Sequence, residues 1–273
     1  MIRNIAPLLI LSIAPALYGQ ELPSPKEPAL GYDQLKSRTI EKLKRLKPGK
    51  FGSFIPGIKT RIETQEKIIA LTFDACGGPK GSGYDTLLIE YLVKEKIPAT
   101  LFISGSWIEK NDSIFRLLSK EPLFEIENHG WEHHPCSITA KSKYGIPATG
   151  SVGNAYGEIA LNARQIESYT HRKPQLYRPA TAAADEGCVA IAGELEEKIV
   201  SYDVLSEDAV AGVSADLIRK NIVKKSKPGS IIIMHMNHPE RNGFEALCNV
   251  VPALKKLGFR FVKLEGYSLS GRK

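Results

Sequence analysis

The chain has 273 residues, 42% of them hydrophobic and 25% charged, with a formal net charge of +7. That is an ordinary globular composition with enough chain for one large α/β domain, which sets aside the disordered and fibrous classes. The positive residues are scattered apart from one run at 42–47, where they alternate with leucines as on a solvated helix face, so a nucleic-acid module is set aside and a weak attraction to an anionic wall polymer or acidic membrane surface is retained.

Residues 1–19 have the form of a secretory signal. Arg3 supplies the positive start, residues 5–14 the apolar middle, and Ala14, Ala16 and Gly19 the small residues of a cleavage site. The apolar stretch is short for a membrane span, and Pro7 and Pro15 interrupt it. Cleavage near Ala16 or Gly19 and export to the periplasm or exterior are expected, with an uncleaved anchor as the alternative. No cysteine near the cleavage site suggests a lipoprotein anchor. Residues 20–65 read as an N-terminal extension, with a Pro-rich linker at 22–28 and a short basic helix near 32–47. The catalytic domain is expected over 66–267.

Residues 68–73 predict a buried strand ending at Asp74. A glycine-rich loop follows at 75–83. It lacks the Lys-Ser/Thr ending of a phosphate loop, so nucleotide binding is rejected. Asp85 reads as a helix N-cap, with Leu87, Leu88, Tyr91 and Leu92 as the apolar face. A strand is expected at 98–103, a helix at 111–120, and a short strand at 124–128 that delivers His129. The Ser-, Gly- and Thr-rich stretch 137–153 reads as a loop and candidate cleft wall. Then come a helix at 157–169, a strand end at 176–179, a strand at 198–204 and a helix at 214–226. The apolar strand 230–235 ends in His235, and a helix at 243–257 and a strand at 259–263 close the chain. Strands alternating with helices, each strand ending in polar residues, predict a parallel α/β barrel or doubly wound sheet with active groups at the strand C-termini.

His129 and His133 are the most informative pair. A His-x-x-x-His step on a helical turn sets two imidazoles on one face, close enough to share one metal ion. Neutral imidazoles suit zinc or a similar borderline divalent ion. Asp74, at a buried strand end, is able to serve such a metal or act as general base. His134 reads as a loop residue rather than a third ligand. Cys76, Cys136, Cys188 and Cys248 allow three pairings, and an oxidising compartment favours one or two disulfides. Their spacing makes no zinc knuckle. Cys76, two residues past Asp74, reads first as a disulfide partner or inert thiol and second as a ligand.

Taken together, Thr72-Phe73-Asp74-Ala75, His129 with His133, Arg178-Pro179-Ala180-Thr181, Asp208 and Ile233-Met234-His235 resemble, in this order, the motifs of the polysaccharide deacetylase family of metal-dependent carbohydrate esterases. The resemblance covers roughly residues 66–265. It implies a distorted (β/α) barrel of seven strands. It implies Asp74 as general base, His129 and His133 as metal ligands, Arg178 as the residue that orients the base, and His235 as general acid tuned by Asp208. It also implies a backbone N–H of Thr181 as oxyanion donor. The chain departs from the pattern at Ala75, where the family has a metal-binding Asp. The third ligand is left open among Asp74, Cys76, another acid and water. The aromatic of the third motif and the Trp of the fourth are also missing, so the apolar wall for an acetyl methyl must come from elsewhere.

The expected function is an exported deacetylase that removes N-acetyl groups from a polysaccharide such as peptidoglycan or a chitin-like chain, with a divalent metal, zinc above all, and without nucleic acid, nucleotide or a stable membrane span. A catalytically silent carbohydrate-binding barrel and a hydrolase of a small amide or cyclic imide are the alternatives.

Overall fold

The structure is a computed structural model that describes residues 31–272. The expected signal at 1–19 and the Pro-rich linker lie outside those residues. In chain order the elements begin with α1 (Tyr32–Leu43), β1 (Phe51–Gly52), β2 (Arg61–Ile62), β3 (Ile68–Ala75), α2 (Thr86–Lys94), β4 (Ala99–Ile103), α3 (Gly105–Lys110), α4 (Asp112–Leu118) and β5 (Phe124–Asn128). A small hairpin, β6 (Ser142–Lys143) and β7 (Ile146–Pro147), precedes the long α5 (Val152–Thr170). Then follow β8 (Leu176–Tyr177), a 3₁₀ turn at Ala180–Ala182, β9 (Ala184–Asp185), α6 (Glu186–Glu194), β10 (Lys198–Ile199) and β11 (Val204–Leu205). The chain ends with α7 (Ala215–Lys225), β12 (Ser230–His235), α8 (Gly243–Lys256), β13 (Arg260–Phe261) and β14 (Leu269–Ser270).

Seven parallel strands run in the order β10, β8, β5, β4, β3, β12, β11. Their curl makes a distorted, partly open barrel. No ladder joins β10 to β11; the segment at Lys59 bridges to Val200 instead. Every residue of β3 is buried, as a central strand covered on both faces requires. One face of β3 and β4 (Ile69, Leu71, Phe73, Leu101) meets helices α2, α7 and α8 in the main apolar cluster. The other face, with Ile68, Ala70 and Phe102, fills the barrel interior.

Capping explains where the helices start. Asp85, Ser104, Ser151, Asp185 and Ser214 each accept a backbone N–H three residues on, which satisfies an otherwise orphan donor. The expected cap at Asp85 is present, but the face of α2 is rotated. Leu88, Ile89 and Leu92 are buried while Leu87 is 58% exposed. The expected strand 198–204 is two short strands, because residues 200–203 turn to bond the Lys59 segment and β12. Helix α5 starts five residues earlier than expected, at its Ser151 cap. Helices α3 and α6 were not predicted: α3 is a single short segment, and the Ala- and Gly-containing α6 has little apolar periodicity. From residue 32 on, the expected extension supplies α1, which packs against α5, and β2, which joins the main sheet. Among the described residues no helix is long and apolar enough to cross a membrane.

Candidate active site

Register brings the site together. Asp74 of β3 pairs with His235 of β12 and with Phe102 of β4, and Ile103 of β4 pairs with Asn128 of β5. The C-terminal ends of four adjacent strands are therefore level. A cavity of about 410 Å³ opens there, lined by Asp74, Cys76, His129, His133, Thr181, Asp208 and His235. Arg178 lies fully buried at its base.

The Arg178 guanidinium donates to Asp74 Oδ1 at 2.7 Å, to Thr72 Oγ1 at 2.9 Å and to the Ser201 carbonyl at 3.0 Å, and stacks over the Phe102 ring. Burial alone would raise the Asp74 pKa. The Arg178 charge and its hydrogen bond outweigh burial and hold the carboxyl below its ordinary 3.8. Asp74 is thus ionised, with Oδ2 3.7 Å from His129 Nε2.

The two histidines converge without a helix. Residues 129–135 form a bend, with Gly130 at φ 84° and His133 at φ 63°, so the helical-turn reasoning fails. What closes the loop is Glu158 of α5, buried, which accepts the N–H of Glu132 at 3.1 Å and of His134 at 2.9 Å. Gly130 is required there, because a Cβ would come within 2.3 Å of the Glu158 carboxylate. The imidazole centroids of His129 and His133 lie 4.8 Å apart. His129 Nδ1 is 2.6 Å from the Arg178 carbonyl, which assigns its proton and leaves Nε2 facing the cavity. Burial lowers both histidine pKa values, that of His133 well below 6.5, so both are neutral donors. His134 is a loop residue with Nδ1 toward the Pro147 carbonyl.

Donor atoms of Cys76, His129 and His133 all lie within 4.8 Å of one another. Two neutral imidazoles and a sulfur are a donor set that fits a borderline divalent ion. The cysteines otherwise resolve to one disulfide, Cys136–Cys188, with Cys76 and Cys248 free.

On the other side, Asp208 Oδ1 is 3.0 Å from His235 Nδ1, and Asp208 Oδ2 accepts the His235 backbone N–H at 2.7 Å. The Ser206 hydroxyl donates to the same carboxylate at 2.7 Å. Burial would lower the His235 pKa; the Asp208 carboxylate overcomes it and raises the value above 6.5. Thr181 and Ala182 arch over the cavity at φ 58° and 51°. Among the described residues, five of the eight non-glycine positive-φ residues line this cavity: His133, Tyr144, Thr181, Ala182 and Glu207. Such conformations cost about 1–3 kcal/mol each and cluster where function requires them.

Tyr144, Tyr202, Leu205, Val210 and Ile233 line the same cavity and give it an apolar side. Sequence reading missed Tyr144, Tyr202 and the positioning residue Glu158. The loop containing Tyr144 was the one signal available. Tyr202 sits in the break of an expected strand, and Glu158 reaches a loop 24 to 26 residues away.

The polysaccharide deacetylase profile matches residues 61–200, just over half of the chain. A peptidoglycan-N-acetylglucosamine deacetylase of Bacillus cereus is 27% identical over 203 residues, 74% of this chain and 88% of its own length. A peptidoglycan-N-acetylmuramic acid deacetylase of Bacillus subtilis is 25% identical over 205 residues, 74% of this chain and 72% of its own. A crystal structure of a peptidoglycan N-acetylglucosamine deacetylase superposes with a TM-score of 0.64 at 27% identity, covering 76% of this chain and 91% of that one. The chain belongs to the polysaccharide deacetylase family. It is an enzyme of that class, with its curled α/β sheet.

Proposed function

We propose that this protein is an exported, metal-dependent deacetylase of an N-acetylated glycan, with peptidoglycan the leading substrate, and that it belongs to a group of the family with alanine after the base. The observation that carries the reading is the pairing of Asp74, held below its ordinary pKa by Arg178, with His235, raised above 6.5 by Asp208, at one register position of adjacent strands. A base and an acid held on either side of a scissile amide are what hydrolysis with amine departure needs.

Asp74, fixed by Arg178, takes a proton from the attacking water. His235, whose hold on a proton Asp208 strengthens, gives that proton to the departing nitrogen. The C–N bond breaks, and acetate and a free amine leave. The Thr181 N–H faces the developing oxyanion, and Leu205, Val210 and Tyr202 receive the acetyl methyl. His129 and His133 would hold the divalent ion, zinc on donor chemistry, which supplies Lewis acidity toward water and the amide carbonyl when bound. The Cys136–Cys188 disulfide supports an oxidising compartment, and the relatives' wall substrates and the net charge of +7 support a wall polymer.

The test is acetate release from peptidoglycan and from N-acetylated chitin oligomers, with and without chelator. Chelator-sensitive release supports the reading. Metal-loaded protein that frees no acetate from any glycan overturns it.

A further inference from the structure

The residue just past the strand that carries Asp74 brings a second polar group into the cavity. Asp74 and Cys76 both line it, while Ala75 between them is fully buried in the apolar layer under the helices. Cys76 directly follows the last residue of β3, and the alternation of faces carries over that one step, so carboxylate and thiol come to the same side. The backbone at this point is held from outside the strand. Ser104 N–H bonds the Ala75 carbonyl at 3.1 Å, and Ser104 Oγ donates to the Cys76 carbonyl at 2.7 Å. Gly77 follows at φ 76°, where a Cβ would come within 2.2 Å of Ser106 Oγ and 2.7 Å of the Trp107 nitrogen. The chain therefore leaves Cys76 by a path open to glycine.

The sulfur lies 3.8 Å from His129 Nε2. Around a tetrahedral ion with metal–sulfur and metal–nitrogen bonds of ~2.3 and ~2.0 Å, sulfur and nitrogen ligands stand roughly 3.5 Å apart. The observed separation needs only a small adjustment. Asp74 is less available as a ligand, because Arg178 already holds Oδ1 at 2.7 Å. Cys76 takes part in no disulfide.

We propose that Cys76 is the third protein ligand of the catalytic metal, as a thiolate beside His129 and His133. This rests on the metal-dependent reading above. The S–H bond breaks as the metal–sulfur bond forms, and the proton passes to solvent. The site then has three protein ligands and an open position, the arrangement of catalytic zinc centres. A thiolate turns its preference toward zinc and cobalt and away from the hard ions magnesium and calcium. It also leaves Asp74 free to serve as base.

The experiment is cobalt substitution of the purified full chain, read by absorption spectroscopy. Wild-type protein loaded with Co²⁺ is expected to show an intense near-ultraviolet sulfur-to-cobalt charge-transfer band. Cys248→Ala is expected to keep the band. Cys76→Ala and Cys76→Asp are expected to lose it. Cys76→Ala is also expected to bind cobalt ~100-fold more weakly or worse, the loss seen for supporting residues being 10–100-fold, while Cys76→Asp recovers part of the affinity through its carboxylate. Circular dichroism checks that each variant is folded, and Cys76→Ser replaces Cys76→Ala if it is not. A cobalt-loaded wild type without the band, or a band that survives in Cys76→Ala, overturns the assignment. So does folded wild type that takes up no cobalt. Acetate release measured on the same samples separates the two claims: release without the sulfur band overturns the ligand alone, and the band without release supports the ligand and counts against the deacetylase.

Discussion

Two buried carboxylates stand level in the sheet, both neighbours of Phe102, and they are held in opposite states. Asp74 on one side of Phe102 faces the Arg178 guanidinium and lies below its ordinary pKa. Glu127 on the other side accepts the backbone N–H groups of Gln175 and Leu176, and burial with Glu125 beside it pushes its pKa well up. Glu197, buried against Asn128, is raised in the same way. Burial by itself neutralises an acid; Asp74, which opens onto the cavity, is kept charged by a buried cation. The difference singles out Asp74 as the carboxylate suited to the proposed proton abstraction.

The strongest way to break that comparison is Arg178→Ala. It leaves Asp74 buried and uncompensated, and should cost about 3–5 kcal/mol of stability. Chemical denaturation measures it, and a loss well under 1 kcal/mol would mean that the pair is not what holds Asp74 ionised. Removing the Cys136–Cys188 bridge comes next. It ties the end of the histidine loop to α6, beside the Thr181 turn, across 52 residues. Cys136→Ser with Cys188→Ser should lower stability by about 2–4 kcal/mol, with thermal melts as the check.

Asp208→Asn sharpens the acid side. Without the Asp208 charge, burial dominates at His235 and its pKa falls. If His235 is the proposed general acid, the rate requires its protonated form, so the alkaline limb of the pH–rate profile should move to lower pH while the acid limb stays. An unmoved alkaline limb would assign it to another group.

The smallest effect is at Glu197→Gln. A carboxyl whose folded pKa is raised contributes stability that is present below its unfolded value and is lost as pH rises through the folded value. Wild type should therefore lose stability relative to Glu197→Gln as pH climbs above about 4.5, the ordinary value. Melting temperature against pH reads this, and parallel curves would show that Glu197 does not titrate differently on folding.

Much of the frame was legible from local pattern. Apolar runs ending in Asp74 and His235 show as strands because burial on both faces leaves unbroken or nearly unbroken apolar sequence. The Asp85 cap shows because a carboxylate before an apolar helix has one local job. The histidine spacing suggested a helix that is not there, because i and i+4 also meet in a loop closed from outside. That closure, by Glu158, is long-range and leaves no local trace. Likewise Glu125 and Glu127 alternate with Phe124 and Ile126 as in a half-exposed strand, yet all four are buried, because the second face of β5 is the barrel interior. Tyr144 and Tyr202 meet only through the fold.

The measurement that tests the central claim most directly is acetate release from peptidoglycan by wild type and Asp74→Asn, with bound metal determined on the same preparations. Asp74→Asn should keep most of its metal and lose roughly 10²–10⁴-fold in turnover, the usual contribution of a positioned base. An Asp74→Asn protein that still releases acetate at the wild-type rate would contradict the assignment of the ionised carboxylate as the base.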